Sequence, residues 1–157
     1  ELGAMPDMLL APCGGGGLIA GLAIAARHFN PDIDVFAVEP EDFDDLARSL
    51  QTGKREKNPE LSGSICDALL APMPGELTFE VNRSLLTGSL LVSDEEVKDA
   101  MRFAFQELKL VVEPGGAAAL AALLNGKVQV KGRTVGLVIS GGNVDADRFA
   151  EILSGSA

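Results

Sequence analysis

Four consecutive glycines, Gly14 to Gly17, constrain this chain more than any other feature. Each glycine loses more backbone freedom on folding than any other residue would, so four in a row need a reason beyond a plain turn. The run follows a short apolar segment, Met8-Leu9-Leu10-Ala11-Pro12, that reads as a buried strand. It precedes Leu18 to Phe29, which reads as a helix of small and branched apolar residues. Between a strand and a helix, bare backbone N–H groups can converge on an anion, and the helix dipole favours negative charge there. The functional reading is a phosphate cup, and the alternative is a flexible strand-to-helix turn.

The same alternation continues along the chain. Val35 to Val38 is a second strand ending at Glu39-Pro40, and Val135 to Ile139 is a fully apolar third. Helices are expected at Phe43 to Leu50, Leu77 to Leu86, Asp94 to Lys109, Pro114 to Leu124 and Asp145 to Leu153. Ser93-Asp94-Glu95-Glu96 is a capping box with acidic first-turn residues. Pro114 near a helix start and Gly126 past its end follow the usual asymmetry of helix termini. Strand, turn and helix in this order predict an α/β fold with parallel βαβ packing. Thr52 to Gly75, rich in Lys, Asn, Pro, Ser and Gly, is expected to cross the surface as a long loop.

Charge narrows the function. Thirteen Lys and Arg stand against 23 Asp and Glu, a formal net charge of −10. Nucleic acids and anionic membranes need a cationic footprint, so neither is an expected partner. No apolar run approaches the ~20 residues of a membrane span, and Glu1-Leu2-Gly3 lacks the basic-then-apolar order of a signal peptide. Cys13 and Cys66 stand alone and imply neither a disulfide framework nor a zinc site. A cytoplasmic α/β domain covering residues 1–157 is the expectation. Glu1-Leu2-Gly3 reads as the end of a helix with its glycine cap, so the chain reads as starting inside a larger fold.

Further segments could carry chemistry. The glycine run lacks the Gly-Lys-Ser/Thr of a Walker loop, because Leu18 follows Gly17. Counted from Gly15 and Gly17, the third glycine of a dinucleotide fingerprint falls on Ala20, a tolerated substitution. Glu39, at the end of the next strand, stands where a ribose partner is expected, so an NAD(P)-type dinucleotide-binding domain stays open. Ser140-Gly141-Gly142-Asn143 follows the last strand, where open parallel sheets gather ligands and where a tight turn is the equal alternative. Small residues after Glu113-Pro114 could simply allow close helix packing, but Glu113 could reach into a ligand crevice. Glu39-Pro40-Glu41-Asp42-Phe43-Asp44-Asp45 carries five carboxylates in seven residues. Such a run is usually a solvated acidic loop, yet Mg²⁺ or Ca²⁺ takes just such oxygens. His28, the sole histidine, is expected as a partner of the helix C-terminus.

In series, Gly14-Gly15-Gly16-Gly17-Leu18, Val38-Glu39-Pro40, Val112-Glu113-Pro114 and Ser140-Gly141-Gly142-Asn143-Val144-Asp145 resemble the fold-type II pyridoxal-phosphate enzymes. The resemblance is to the C-terminal portion of the serine/threonine dehydratase, threonine ammonia-lyase, 3-hydroxyaspartate dehydratase and serine racemase group, and it runs along essentially the whole chain. It implies a three-layer open parallel sheet with flanking helices, the C-terminal part of the large domain of a tryptophan-synthase-β-like enzyme. It implies that Gly14, Gly15, Gly16, Gly17 and the Leu18 amide bind the 5′-phosphate of pyridoxal 5′-phosphate. Ser140 would face the pyridine nitrogen, with Glu113 near the ring and Asn143 beside it. In racemase-like members a divalent cation, Mg²⁺ or Ca²⁺, matches Glu39, the Phe43 carbonyl and Asp45.

The implied reaction is β-elimination from a β-hydroxy amino acid such as threonine or serine, giving a 2-oxo acid and ammonia. A racemase would share its first step, removal of the α-proton. The choice among serine, threonine and 3-hydroxyaspartate stays open, with Ser64 to Glu76 the segment that could decide it. The family's Schiff-base lysine belongs to an N-terminal half, and none of Lys54, Lys57, Lys98, Lys109, Lys127 or Lys131 has its sequence context. Lysine is both covalent anchor and usual base, so no catalytic residue is expected in this chain and it should be inactive alone. An exposed sheet edge or face awaiting the missing half predicts association with a second copy.

Overall fold

The computed structural model describes residues 5–155, so the helix end expected at Glu1-Leu2-Gly3 lies outside the described residues. Four parallel strands form one sheet in the order β3-β2-β1-β4. They are β1 (Met8–Pro12), β2 (Asp34–Pro40), β3 (Gly88–Val92) and β4 (Val135–Leu137). The helices are α1 (Gly17–Phe29), α2 (Asp45–Thr52), α3 (Glu76–Leu85), α4 (Asp94–Phe103), α5 (Pro114–Leu124) and α6 (Ala146–Ser154). The register places Leu10 beside Phe36 on β2 and beside Leu137 on β4.

The period-two alternation of a strand sorts its side chains onto two faces. Met8 and Leu10 of β1 join Val38 and Val92 in one cluster with α4, α5 and Ile152 of α6. Ala11 of β1, with Val35 and Ala37 of β2, joins a second cluster with Ile19 and Ala23 of α1, Leu46 of α2 and Phe79 of α3. Helices therefore cover both faces, which makes three layers. A sheet covered on both faces needs apolar side chains throughout, and that is why these strands read as continuous apolar runs. Helix α5 is buried from Pro114 to Ala122 because its Gly and Ala residues let the backbone approach the sheet closely.

Strand β3 stands where the sequence suggested no element. Its Gly-Ser-Leu-Leu-Val carries two leucines, good helix formers, directly after the apolar end of α3. The helix expected over Asp94 to Lys109 changes character at Phe103: Ala104–Leu108 is a π turn, and Lys109 closes it in the left-handed region at φ 61°. The capping box at Ser93 forms as expected, with Ser93 Oγ accepting from the Glu96 amide and Glu96 Oε2 accepting from the Ser93 amide. The loop across 52–75 contains one 3-10 turn, Asp67–Leu69. Arg133 ties the start of β4 to the middle of the sheet, donating to Asp34 Oδ2 at 2.6 Å and to the Asp7 carbonyl at 2.9 Å. That guanidinium holds the Asp34 carboxyl below the ordinary aspartate range. Among the described residues, no helix is long and apolar enough to cross a membrane.

Candidate functional site

The chain leaves β1, builds outward through β2 to β3, and then returns to place β4 on the other side of β1. The strand order therefore reverses between β1 and β4, and a crevice at such a switch point is where open α/β sheets hold ligands. Gly14–Gly17 follow the carboxyl end of β1, and Ser140 follows that of β4. One cavity of about 250 Å³ lies there, lined by Gly14 to Leu18, Cys13, Ala68, Leu69, Glu113, Gly115 and Ser140, among others. Residues separated by more than a hundred positions in sequence thus meet at one opening.

The glycine loop is held on both sides. A Cβ on Gly14 would lie 3.2 Å from the Ala68 carbonyl oxygen, and one on Gly16 would lie 2.7 Å from Asn82 Nδ2. Gly16 also has φ 88°, a conformation that side chains rarely adopt. A Cβ on Gly15 or Gly17 would meet nothing within 4 Å, so the loop opens into space at these two positions. Among the described residues, the amides of Gly14, Gly15, Gly17 and Leu18 donate no bond to a backbone carbonyl. Gly17 is the first residue of α1, and the first amides of a helix have no acceptor inside it. Free amides, open space and a helix N-terminus thus coincide at this loop, which is clamped on both sides rather than free to flex.

Glu113 precedes α5, and its side chain makes no capping bond to that helix. Its carboxylate reaches the segment after β4, where Oε2 accepts from the Asn143 amide at 2.9 Å. Its amide donates to the Gly141 carbonyl at 3.1 Å. Glu113 thereby fixes the backbone that carries Ser140. Asn143 itself lines a neighbouring polar cavity of about 170 Å³ with Asp67, Pro114, Val144, Asp145 and Arg148. Among the described residues, no lysine lines the glycine cavity. His28 sits in the last turn of α1, its ring edge-on to Phe29.

Glu39 does not line the cavity. Its side chain is 1% exposed: Oε1 accepts from the Leu46 amide at 2.8 Å, and Oε2 from the Ala47 amide at 2.9 Å and Ser89 Oγ at 2.6 Å. It is a buried carboxyl bonded to the first amides of α2, so the ribose role open to it in the sequence is corrected, and the dinucleotide alternative loses its second support. Burial, against these hydrogen bonds, pushes its carboxyl up to about 7. Asp45 is equally buried and raised to about 6, chiefly by desolvation. Asp45 Oδ1 accepts from Asn58 Nδ2 at 2.7 Å, while Oδ2 is buried without a hydrogen-bond partner. Among the described residues, no three His, Cys, Asp or Glu side chains gather as a metal cluster. Any cation here would need backbone carbonyls or water as well as the two carboxylates.

Both cysteines are free and buried. Burial, with the nearby Glu39 and Asp45 charges, raises the Cys13 thiol well above its ordinary value, and burial pushes Cys66 up to about 12. At pH 8 the thiolate of Cys66 is then only about 10⁻⁴ of the total. Less than a tenth of an equivalent of native thiol is expected to react with a disulfide reagent in an hour, against two equivalents in guanidinium. A rapid native equivalent would show that one of these sites is open.

The sheet and the glycine-lined cavity at its switch point define an α/β protein with one crevice at the carboxyl ends of its strands. The chain belongs to the pyridoxal-phosphate dependent enzyme family, whose profile matches residues 1–141. It is 40% identical over 151 residues to a serine racemase of Dictyostelium discoideum, covering 94% of this chain and 46% of that protein. It is 41% identical over 149 residues to an L-threo-3-hydroxyaspartate ammonia-lyase of a Pseudomonas species, covering 95% and 46%. The crystal structure of a T.th. threonine deaminase superposes with a TM-score of 0.87 at 41% identity, covering 92% of this chain and 51% of that one. The chain thus spans about half the length of the relatives it matches.

Proposed function

We propose that this chain is the phosphate- and ring-binding portion of an enzyme that eliminates ammonia from a β-hydroxy amino acid such as threonine or serine, giving a 2-oxo acid. The observation that carries the reading is the single cavity uniting Gly14 to Leu18, Glu113 and Ser140 at the reversal of strand order. The fit to pyridoxal 5′-phosphate rests on the open faces of Gly15 and Gly17 and the unpaired amides around them. When bound, the cofactor supplies the electron sink that makes an amino acid's α-proton acidic. The amides of Gly14, Gly15, Gly17 and Leu18 would hold the phosphate dianion, and α1 would add its dipole. Ser140 offers the ring nitrogen a neutral hydroxyl, which does not force protonation there as a carboxylate would. Glu113 keeps that hydroxyl in place through Asn143 and Gly141. Among the described residues no lysine lines the cavity, so the covalent anchor for such a cofactor would have to be supplied by another part of the enzyme.

The test is ammonia release from threonine, serine and 3-hydroxyaspartate by the enzyme assembled with its other half. Release from at least one, together with none from this chain alone, is expected. No release from any of the three would end the elimination reading. Inversion of serine without ammonia would assign a racemase, the activity named for the Dictyostelium relative. The reading also places the protein in the cytoplasm, where free thiols stay reduced. It places β4, an edge of the sheet, against the other half or a second copy of the chain.

A divalent cation is part of the same reading. Asp45 Oδ2, buried and unpartnered, is the oxygen that asks for one, and the Glu39 carboxylate and the Phe43 carbonyl would complete the protein's share. Adding Mg²⁺ or Ca²⁺ at 100 times its dissociation constant is expected to stabilise the fold by about 2.7 kcal/mol. Thermal melts would read this as a rise in Tm that Asp45→Asn abolishes. An equal rise in Asp45→Asn, or none with either ion, would remove the cation.

A further inference from the structure

The phosphate cup has a back wall that no sequence pattern connects with it. Helix α3 begins against the outer side of the glycine loop, and two of its side chains and the amide of its N-cap residue hold the loop's carbonyls. Thr78 Oγ1 donates to the Gly15 carbonyl at 2.7 Å, and the Gly75 amide donates to the same oxygen at 3.2 Å. Asn82 Nδ2 donates at 3.3 Å to the Gly16 carbonyl, which also accepts the first bond of α1 from the Ala20 amide at 3.1 Å. Across a trans peptide, the carbonyl of one residue and the amide of the next point in opposite directions. Holding the Gly15 and Gly16 carbonyls towards α3 therefore turns the Gly16 and Gly17 amides away from it. The Gly17 amide accordingly faces the opposite side, where Gly17 lines the cavity.

Resting on the phosphate-binding reading above, we infer that Thr78 and Asn82 are positioning residues for the ligand's phosphate. They touch neither phosphate nor ring. They keep carbonyl lone pairs, which would repel a dianion, out of the cup. Two observations separate this from ordinary packing. Asn82 is fully buried, yet its Oδ1 has no hydrogen-bond partner. An unpaired buried acceptor costs stability that a leucine of similar size would not, so the amide is kept for its bond to Gly16. The contact also leaves no room for adjustment: a Cβ on Gly75 would lie 2.7 Å from Thr78 Oγ1 and 3.3 Å from the Gly15 carbonyl oxygen.

Thr78 is only half-buried, so Thr78→Val keeps its shape and removes the hydroxyl without endangering the fold. Inorganic phosphate titrated into the ¹⁵N-labelled chain reads the cup through the Gly16 and Gly17 amide resonances. Thr78→Val is expected to raise the phosphate midpoint at least fivefold, and Thr78→Ser to restore it. An unchanged midpoint in Thr78→Val, or no recovery in Thr78→Ser, overturns the inference. If the unsubstituted chain does not respond to phosphate, the phosphate-binding reading itself has failed. Amide exchange at Gly16 and Gly17 then decides: at least threefold faster in Thr78→Val and normal in Thr78→Ser supports the carbonyl clamp, and equal rates refute it.

Discussion

Gly116→Ala is expected to lower the melting temperature by roughly 4–8 °C, the shift that about 2 kcal/mol produces in a domain of this size. A methyl group at 116 would stand 2.6 Å from the Gly141 carbonyl oxygen and 2.9 Å from the Gly141 nitrogen. Both atoms are backbone, so neither can rotate aside. Helix α5 is buried on every side from Pro114 to Ala122 and cannot retreat. Overpacking of this kind costs typically 1–3 kcal/mol and sometimes more, which outweighs the ~1 kcal/mol that alanine gains over glycine in a helix. The displaced atoms belong to the residue after Ser140, so the same substitution should weaken cofactor binding. Gly115→Ala is the control. Its methyl group would meet Leu69 Cγ at 3.2 Å, a side chain that can turn, and its cost should stay within about 1 kcal/mol. Thermal unfolding of the two variants side by side reads the difference, and equal melting temperatures would disprove the close approach of α5 to the 140–142 segment.

Sequence patterns reached the parts of this molecule that depend on burial on both faces or on unusual backbone. Met8–Pro12 and the glycines after it were legible because a doubly covered strand must be apolar and a run of four glycines is costly. Ser140 and Glu113 were legible as segments, but their meeting follows from β4 returning beside β1, which no local pattern encodes. The 52–75 stretch reads as a loop because its order comes from side chains reaching far away. Asn58 bonds Asp45 and the Ala71 carbonyl, Arg55 the Pro74 carbonyl, and Ser64 the Asp94 carboxylate. Ala68 and Leu69 of this stretch wall the cavity, and nothing in their composition announces it. Glu39 misled for a similar reason. An acid at a strand end suits a ribose, and only the approach of α2 and Ser89 reveals a carboxylate already engaged inside the protein. Thr78 and Asn82 lie 63 and 66 residues beyond the glycines they hold, on a helix whose pattern reads as ordinary amphipathic packing.

Within the glycine run itself, four identical residues should respond unequally to the same substitution. Gly16→Ala is expected to cost about 3 kcal/mol: about 1–2 for a left-handed backbone on an L-residue, and the rest for overpacking. The overpacking is against Asn82 Nδ2, which the added methyl group would approach to 2.7 Å, and against Thr78 Oγ1 at 3.1 Å. Asn82 is fully buried and cannot move away without losing its bond to the Gly16 carbonyl. Gly15→Ala has neither penalty. It lacks a positive φ, and its methyl group would meet nothing within 4 Å, so stability should change by less than about 1 kcal/mol. Phosphate affinity should fall in both variants, because Gly15 and Gly16 both line the cavity. Denaturant midpoints paired with phosphate titrations separate the two roles. Gly16 is required by the fold and the cup together, whereas Gly15 is required by the cup alone. Were both substitutions to destabilise the chain equally, the loop would be uniformly packed and its opening at Gly15 would be wrong. Were neither to weaken phosphate binding, the run would be only the turn that its sequence also allows.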